Sequence, residues 1–245
     1  HIQPKAKTAV PFLIEALKDN KVASFSKEDA GDREKAAYAL GLIGHEAKAA
    51  VPALMTALDD EDAGVRAAAA IALGNIGPEA KAAVPALIAA LNNKDFGEHG
   101  SAAYALGLIG HDAATSVPAL MSVLNDDVGG NRGRAAEALG RFGKDAKVAV
   151  PSLVVMINLE AQEAEKGDLG ASIQYLYAAH ALSNIVENRK SIVDCCIDAL
   201  NDQDEGQRQI AANALGALNS LPAKTAVPAL IKALKDEDAG VRSAV

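Results

Sequence analysis

Apolar positions along this 245-residue chain recur with a step of 33 residues. Two short sequence phrases keep this step: the first contains Val-Pro, and the second is Ala-Leu-Gly. A fixed period of roughly 20–50 residues is typical of a solenoid, in which each repeat buries its apolar face against its neighbours. The first phrase reads AVPALM at 50–55, AVPALI at 83–88, SVPALM at 116–121 and AVPSLV at 149–154, and Ala-Leu-Gly lies at 39–41, 72–74, 105–107 and 138–140.

The spacing within one period predicts two helices, named helix A and helix B. Residues 79–91 carry apolar side chains at helical intervals, which predicts helix A. Asp95 then stands where an N-cap is wanted, and helix B is expected from about Gly97 to Ile109, before Gly110. The proline of each Val-Pro pair either kinks helix A or opens its main segment, because proline has no N–H to donate.

Two repeats are longer than the rest. Successive A helices are separated by steps of 41, 33, 33, 33, 43 and 34 residues, counted from Pro11, Pro52, Pro85, Pro118, Pro151, Asp194 and Pro228. Both insertions fall between helix A and helix B, at 18–30 and 158–171, and are expected on the same edge of the solenoid. Phe25 and Phe96 also lie in A–B turns, where they either anchor the turn or form a contact edge.

Both chain ends fall inside a repeat. Residues 1–4 align with 75–78, the end of a B helix, and 239–245 align with 63–69, the opening of one. The polar capping repeats of solenoid ends are not recognisable. We therefore expect a segment of a longer array.

These repeats resemble HEAT repeats in three features: the proline of helix A, an Asp at the A–B turn and an Arg four residues later. The sequences AVPALIAAL and VRAAAAIALGNIG are similar to the HEAT-like repeats of phycobilisome lyases. The resemblance implies B helices on the concave face, A helices on the convex face and an Asp–Arg ladder between repeats. The fold expected is all-α, a right-handed α-solenoid of stacked antiparallel helix pairs, with about six to seven repeats in one domain over residues 1–245.

In that ladder each Asp would cap its own B helix and each Arg would bind a neighbouring turn. Val128 replaces the Asp in one repeat, and His99 and Tyr175 replace the Arg in two others. The Asp column is Asp29, Asp62, Asp95, Asp204 and Asp238, and the Arg column is Arg33, Arg66, Arg132, Arg208 and Arg242.

Comparison of the repeats distinguishes the positions that the fold requires from the positions that are candidates for binding. The helix B columns through Ala69, Ala70, Ala72 and Leu73 are invariant, which is typical of close helix packing. The columns through Ala68, Ile71 and Asn75 vary and form one stripe per helix, in which three of the four tyrosines fall. The candidate binding residues of this stripe are Lys35, Tyr38, Leu42, Ile71, Asn75, Tyr104, Leu108, Arg134, Glu137, Arg141, Tyr177, His180 and Asn184. The stripe also contains Ser101, Ile210, Asn213 and Ala217.

Tyr and Arg dominate protein-binding hot spots, so the stripe predicts a concave binding face. The alternative is ordinary variation on a solvated face. In the fourth repeat a basic cluster with nearby glycines also permits a site for an acidic side chain or phosphate, although Glu137 lies in its middle. That cluster is Arg132, Arg134, Arg141 and Lys144, with Gly129, Gly130 and Gly133.

The amino-acid composition limits the kinds of partner that the protein is expected to bind. Only 3% of residues are aromatic, so Ala, Leu, Val and Ile must build the core, and the net charge of −8 disfavours nucleic acid. No run of about 18 apolar residues is present, so no membrane insertion is expected. No signal peptide is recognisable, and a soluble, cytoplasmic protein is favoured, with the compartment and the oligomeric state left open.

Catalytic chemistry has little support in the sequence. The five histidines are scattered, and the His-Glu dyads of HEAT-like deoxyhypusine hydroxylases are matched only by His45-Glu46, which is expected in a loop. Cys196 takes the place of a core leucine, so a buried thiol is expected. No metal site, catalytic residue or cofactor is predicted.

The function expected is a non-enzymatic scaffold that binds another protein or a peptide segment on its B-helix face. Two alternatives remain. An accessory lyase-like domain would hold a tetrapyrrole against Tyr38, Tyr104 and Tyr177. A structural spacer within a larger protein would bind nothing on this face.

Overall fold

A computed structural model describes residues 3–18, 27–93, 99–126, 129–165, 169–187, 189–218 and 223–245. Within these ranges the chain is helical, without β-strands. The α-helices are α1 (Gln3–Lys18), α2 (Lys27–Ile43), α3 (Val51–Ala57), α4 (Ala63–Ile76), α5 (Val84–Asn92), α6 (His99–Ile109), α7 (Ala113–Val123), α8 (Gly129–Phe142), α9 (Val150–Glu165), α10 (Leu169–Ile185), α11 (Arg189–Ala199), α12 (Glu205–Ala217), α13 (Ala223–Ala233) and α14 (Ala239–Ala244). Odd-numbered helices are A helices and even-numbered ones are B helices.

The chain divides into two compact units, His1–Val123 and Leu124–Val245. In the first unit α2, α4 and α6 pack side by side as a layer of B helices, and the A helices α1, α3, α5 and α7 form the second layer. In the second unit α8 packs beside α10, and α12 beside α14. The predicted all-α solenoid class of stacked helix pairs is confirmed.

Proline opens helix A in some repeats and lies inside it in others. Pro52, Pro85 and Pro151 occupy the first turn of α3, α5 and α9, each preceded by a short 3-10 helix (Gly44–Ala50, Gly77–Ala83 and Gly143–Ala149). Because Pro52 has no N–H, the Lys48 carbonyl accepts the Val51 N–H three residues on, which tightens the chain into the 3-10 form. Pro11, Pro118 and Pro228 lie within α1, α7 and α13. Proline therefore opens the main segment of helix A in three repeats, as predicted, and lies within the helix in three others.

Three B helices, α4, α12 and α14, begin at the predicted aspartates, whereas α2 begins at Lys27, so Asp29 lies inside its helix and not before it as expected. Asp62, Asp204 and Asp238 accept the backbone N–H of Val65, Gln207 and Val241 at 3.1, 2.9 and 2.9 Å. Such caps satisfy donors that a helix start leaves unpaired. Asp95, Val128, Phe25 and Phe96 lie outside the described residues, as does residue 97, where helix B was expected to start, and the side chain of Asp29 is not described.

The arginine ladder is present at Arg33 and Arg208, although their acidic partner is not the capping aspartate, whereas Arg66 donates to the carbonyls of Asp60 and Glu61 in its own turn. Arg33 Nε and Nη2 donate to Asp60 Oδ2 and Oδ1 at 2.8 and 2.9 Å, and Asp60 lies two residues before the cap Asp62 of the next repeat. Arg208 binds Asp236 in the same two-bond geometry, at 2.9 and 3.0 Å. Two parallel bonds between a guanidinium and a carboxylate are among the stronger ion-pair geometries.

The same arginines also hold their own turns. Arg208 Nη1 donates to the carbonyls of Asp202 and Gln203, both at 3.0 Å. Arg132 donates to the Asp126 carbonyl at 2.8 Å and binds Glu160 with Nε and Nη2, at 2.9 and 2.7 Å. Each of these two arginines therefore bridges the turn before its own helix and an acid about 28 residues further along the chain.

Acid should weaken this ladder. Arg208, with the backbone N–H of Asp238, holds the pKa of Asp236 below its usual value. A lowered pKa means that the ionised carboxylate stabilises the fold above the unfolded pKa of about 3.9, and that this contribution is lost as the pH falls through the folded pKa. We expect Asp236→Asn to lower the urea midpoint of unfolding at pH 7. Below pH 4 the urea midpoints of the variant and the wild type should lie closer together. Glu237→Gln is the control, because the Glu237 side chain is 94% exposed and its carboxylate lies 4.0 Å from Arg208 Nη2, too far for a hydrogen bond. Parallel pH profiles of wild type and Asp236→Asn would contradict the ladder.

Glycine in the Ala-Leu-Gly phrase permits close contact between B helices. A Cβ on Gly41, Gly74 or Gly140 would lie 3.0, 2.8 or 2.9 Å from the Cα of an alanine in the next B helix. These alanines are Ala72, Ala105 and Ala181, all fully buried. A side chain at the glycine would force the helices apart, because real Cβ atoms do not approach a backbone that closely.

The packing of successive B helices changes in the second unit. Among the described residues, α12 packs mainly on the A helix α9 rather than on the preceding B helix α10. The fifth repeat has Ser183 where the other phrases have glycine, so α10 carries a Cβ where close stacking needs none. Leu176, on the face of α10 that would receive the next B helix, is 64% exposed.

The inserted residues of the fifth repeat lengthen helices instead of forming an A–B turn. Residues 158–165 continue α9, which reaches 16 residues against 7 in α3, and 169–171 belong to α10. The insertion therefore lies between helix A and helix B, as expected, but its described residues are helical and do not form a turn. Of the first insertion, residues 19–26 lie outside the described part of the chain.

Candidate binding surface on the B helices

Two tyrosines and an isoleucine form one row across the first unit. Tyr38, Ile71 and Tyr104 occupy the same position of the adjacent helices α2, α4 and α6. Tyr38 is 59% exposed, and Ile71 and Tyr104 are half-buried. The scaffold thus brings together side chains that lie 33 residues apart in sequence and leaves part of each uncovered.

A second row runs beside it, through Leu42, Asn75 and Leu108. Leu108 Cδ1 lies 3.2 Å from the position of a Cβ on Gly74, and Asn75 Nδ2 lies 3.5 Å from that on Gly41. Asn75 and Leu108 therefore cover the glycines of the preceding helix as well as facing outward. Leu42, at the same position of α2, is 70% exposed. This packing role was not recognised in the sequence, although the glycine column was its signal.

Lys35 lies on the same face of α2, one turn before Tyr38. It is exposed, and its ammonium group is 3.4 Å from Asp32. An exposed pair of this kind contributes little to stability, so Lys35 remains accessible. We call Lys35 and the two rows the B-helix strip of the first unit.

The candidate residues of α8 form a closed ion-pair network. Glu137 accepts from Arg134 at 2.9 Å and from Arg141 at 3.0 Å. The other cations of the predicted cluster also have acidic partners, Arg132 with Glu160 and Lys144 with Glu187 at 2.9 Å. The Lys144 pair raises the pKa of the ammonium and lowers that of Glu187. Because Arg134 and Arg141 share Glu137, the four cations of the cluster face three carboxylates, and these pairs remove most of the positive charge that an acidic or phosphate ligand would need.

Gly133 of the same helix is explained by packing. A Cβ there would collide with Gln174 Oε1 and would lie 2.9 Å from Tyr177 Cδ2. The glycine therefore admits α10, and a role in anion binding is not needed to account for it.

The candidate residues of α10 form the polar part of the face. Tyr177 is half-buried against Gly133, and Asn184 Nδ2 lies 3.5 Å from the Cβ position of Gly140. Exposed His180 and Asn184 are in contact, with His180 Nε2 3.2 Å from Asn184 Nδ2. Ile210 of α12 does not join this face, because it lines a cavity with α9.

The remaining candidate chemistry is structural in character. Burial raises the pKa of the Cys196 thiol to about 12, which leaves it inert at neutral pH. His45 and Glu46 lie in the first 3-10 helix, not in a loop as expected, and Glu46 binds Lys7 at 2.9 Å. In the described ranges no group of three or more His, Cys, Asp and Glu side chains could hold a metal ion. No described helix is both long and apolar enough to cross a bilayer.

Solved structures of repeat proteins are similar to this chain. An engineered protein of the Northeast Structural Genomics Consortium matches with a TM-score of 0.56 and 24% identity, over 96% of this chain and 66% of its own length. A designed armadillo repeat protein in complex with the peptide (KR)4 matches with a TM-score of 0.45 and 15% identity, over 96% and 95% of the two chains. Human deoxyhypusine hydroxylase matches with a TM-score of 0.43 and 19% identity, over 98% and 94%. The likeness to the first engineered protein shows the fold alone.

No curated protein matches the sequence. The sequence profile of HEAT repeats, in contrast, matches residues 22–99, 84–165 and 175–245. These ranges include most of the chain and both compact units. The protein belongs to the HEAT-repeat family.

Proposed function

We propose that the protein is a non-catalytic scaffold and that the B-helix strip of the first unit binds an extended segment of another protein. The observation that carries this proposal is the row Tyr38, Ile71 and Tyr104, partly uncovered on three adjacent helices. Tyrosine supplies a large apolar surface with a polar tip and is enriched at binding hot spots. Surface variation alone has no reason to place large apolar and aromatic side chains at the same position of three neighbouring helices.

The stiffness of the scaffold supports the same function. Ala69, Ala102 and Leu73, on the buried faces of α4 and α6 or between them, are fully buried. A surface mounted on packed helices loses little conformational entropy when a partner binds, so more of the contact energy appears as affinity. Buried ionisable groups such as Arg33 and Glu160 are engaged in ladder bonds, which favours a structural over a catalytic use.

The second unit would contribute a more polar surface. Its candidates are the Arg134–Glu137–Arg141 network, Tyr177, and the exposed pair His180 and Asn184. Paired charges at the rim of an interface affect specificity more than affinity. We infer that this unit, taken by itself, recognises a partner through hydrogen bonds and charge pairs more than through apolar contact.

A photo-crosslinking comparison tests the proposal. Benzoylphenylalanine is placed at Tyr38 in one variant and at Phe12 in another, both exposed aromatic positions of the first repeat, on helix B and helix A respectively. We expect irradiation in extract of the source cells to give a discrete adduct at Tyr38, at least fivefold more abundant than at Phe12. The double variant Tyr38→Ala/Tyr104→Ala should reduce noncovalent capture of the same partner at least tenfold, and Phe12→Ala should leave it unchanged.

Equal adducts at both positions, or none at Tyr38, would contradict binding by the strip. The two alternatives have their own signatures. A tetrapyrrole held against Tyr38 and Tyr104 would add visible absorbance to the natively purified protein, and a spacer would show no capture that depends on either tyrosine.

A further inference from the structure

One side of α10 has no helix packed on it within the described part of the second unit. In other B helices this side contacts the next B helix: a Cβ on Gly64 would lie 3.0 Å from Glu34 Oε2, and one on Gly240 would lie 3.2 Å from Gln209 Cδ. Leu176 occupies the position of Glu34 and Gln209 in α10 and is 64% exposed. Because α12 packs mainly on α9, the side of α10 that carries Leu176 stays open.

Two further residues complete this side of the helix. Ser183 takes the glycine position of the other B helices and is exposed. Ala179 is half-buried, whereas the alanines at its position in the other B helices are at most 1% exposed. Leu176, Ala179 and Ser183 are three and four residues apart, so they lie in one line along α10, which we call its open face. The alanines compared with Ala179 are Ala37, Ala70, Ala103, Ala136 and Ala212.

The sequence of α10 contains no Asp, Glu, Lys or Arg over its 17 residues. The whole chain, in contrast, has a net charge of −8. A net charge of one sign keeps copies of a protein apart, so two copies meet at the lowest electrostatic cost on a surface without charged groups. Contact between two α10 helices brings no like charges of these helices together.

The side-chain sizes along the open face are complementary to themselves. The face begins with a large side chain, Leu176, has Ala179 in the middle and ends with a small one, Ser183. In an antiparallel pair with a two-fold axis near Ala179, Leu176 of each copy lies against Ser183 of the other. Large side chains opposite small ones permit close packing, whereas a parallel pair would place Leu176 against Leu176.

We propose that the protein forms a symmetric dimer in which α10 of each copy packs antiparallel on α10 of the other through the open face. The occupant of this face is a second copy of the chain, because both the absence of charge and the match of large to small side chains are properties of two α10 helices. The dimer uses none of the B-helix strip of the first unit, so it stands or falls independently of the proposed function.

Sedimentation equilibrium of the full chain tests the dimer. A single helix pair buries less than the roughly 800 Å² per partner of a standard interface, so we expect a dissociation constant on the order of 10–100 μM. Leu176→Lys should raise this constant at least tenfold, because it places an ammonium group in the contact. Leu159→Lys is the matched control, since Leu159 is also an exposed leucine of the second unit but lies on α9, and it should change the constant less than twofold. Circular dichroism checks that both variants keep their helix content.

Disulfide crosslinking tests the antiparallel alignment. Leu176→Cys and Ser183→Cys are made in separate chains that also carry Cys195→Ser, while Cys196 is kept because it is fully buried. On mild oxidation a mixture of the two chains should give at least threefold more crosslinked dimer than either chain alone, because each Leu176 position faces the Ser183 position of the other copy. A protein that stays monomeric over this concentration range, equal effects of the two lysine variants, or equal crosslinking in the mixture and in the single chains would each overturn the proposal.

Discussion

Replacing Asp60 with alanine is expected to lower the free energy of unfolding by about 3 kcal/mol, because removal of one partner of a buried ion pair leaves the other charge buried without compensation. The Arg33 and Asp60 side chains are 6% and 11% exposed and joined by two bonds at 2.8 and 2.9 Å. Asp60 also accepts the backbone N–H of Asp62 at 2.9 Å, so the change removes support from the start of α4. Urea denaturation followed by circular dichroism measures the loss.

The adjacent residue provides the control. Asp59 is exposed, and Asp59→Ala removes the same unit of charge from the same turn. Its effect should stay within about 0.5 kcal/mol, as is usual for surface substitutions. If both variants lost the same stability, net charge and not the Arg33 bridge would be responsible.

Alanine should have opposite effects at two glycines of the same sequence phrase. At Gly74 a Cβ would lie 2.8 Å from the Ala105 Cα, so Gly74→Ala must displace a backbone, at a cost of roughly 1–3 kcal/mol of stability. At Gly216 no atom lies within 4 Å of the added Cβ, and Gly216→Ala should stabilise the protein by up to about 1 kcal/mol through helix propensity.

Thermal and urea unfolding measure the change in stability of Gly74→Ala and of Gly216→Ala. The comparison is internal, since both residues follow Ala-Leu in a B helix and the substitution is identical. A gain of stability at both positions would mean that α4 and α6 do not need the close approach seen here. A loss at both would place the cost within the helix and not between helices.

Much of the fold was predictable because its rules are local. The period of 33 residues, the invariant Ala and Leu columns and the caps at Asp62, Asp204 and Asp238 follow from side-chain spacing and hydrogen-bonding capacity. The opening of helix A by proline was also predictable, although not which repeats have the proline inside the helix. The stripe on the B helices was found by comparing repeats, and its uncovered members include Tyr38, His180 and Asn184.

Contacts between repeats were predicted less well. The sequence indicated an Asp–Arg ladder, but the partner of Arg33 proved to be Asp60, two residues before the cap that the pattern singled out. In the fourth repeat the sequence showed the basic cluster but not two of its acidic partners, Glu160 beside Arg132 and Glu187 beside Lys144. In both cases the partner lies 27 to 43 residues away, beyond the reach of any spacing rule.

The sequence by itself determined the HEAT-type repeats and which faces of each helix are buried, since helix periodicity and capping act within about one turn. Only the tertiary structure decided where α12 packs and what lies between it and α9. Ser183 in the glycine column was a visible signal of that change, but it shows only that close stacking is prevented there. Which neighbour a helix then contacts depends on the complementarity of whole surfaces, and that choice placed Ile210 in a cavity and left Leu176 in solvent.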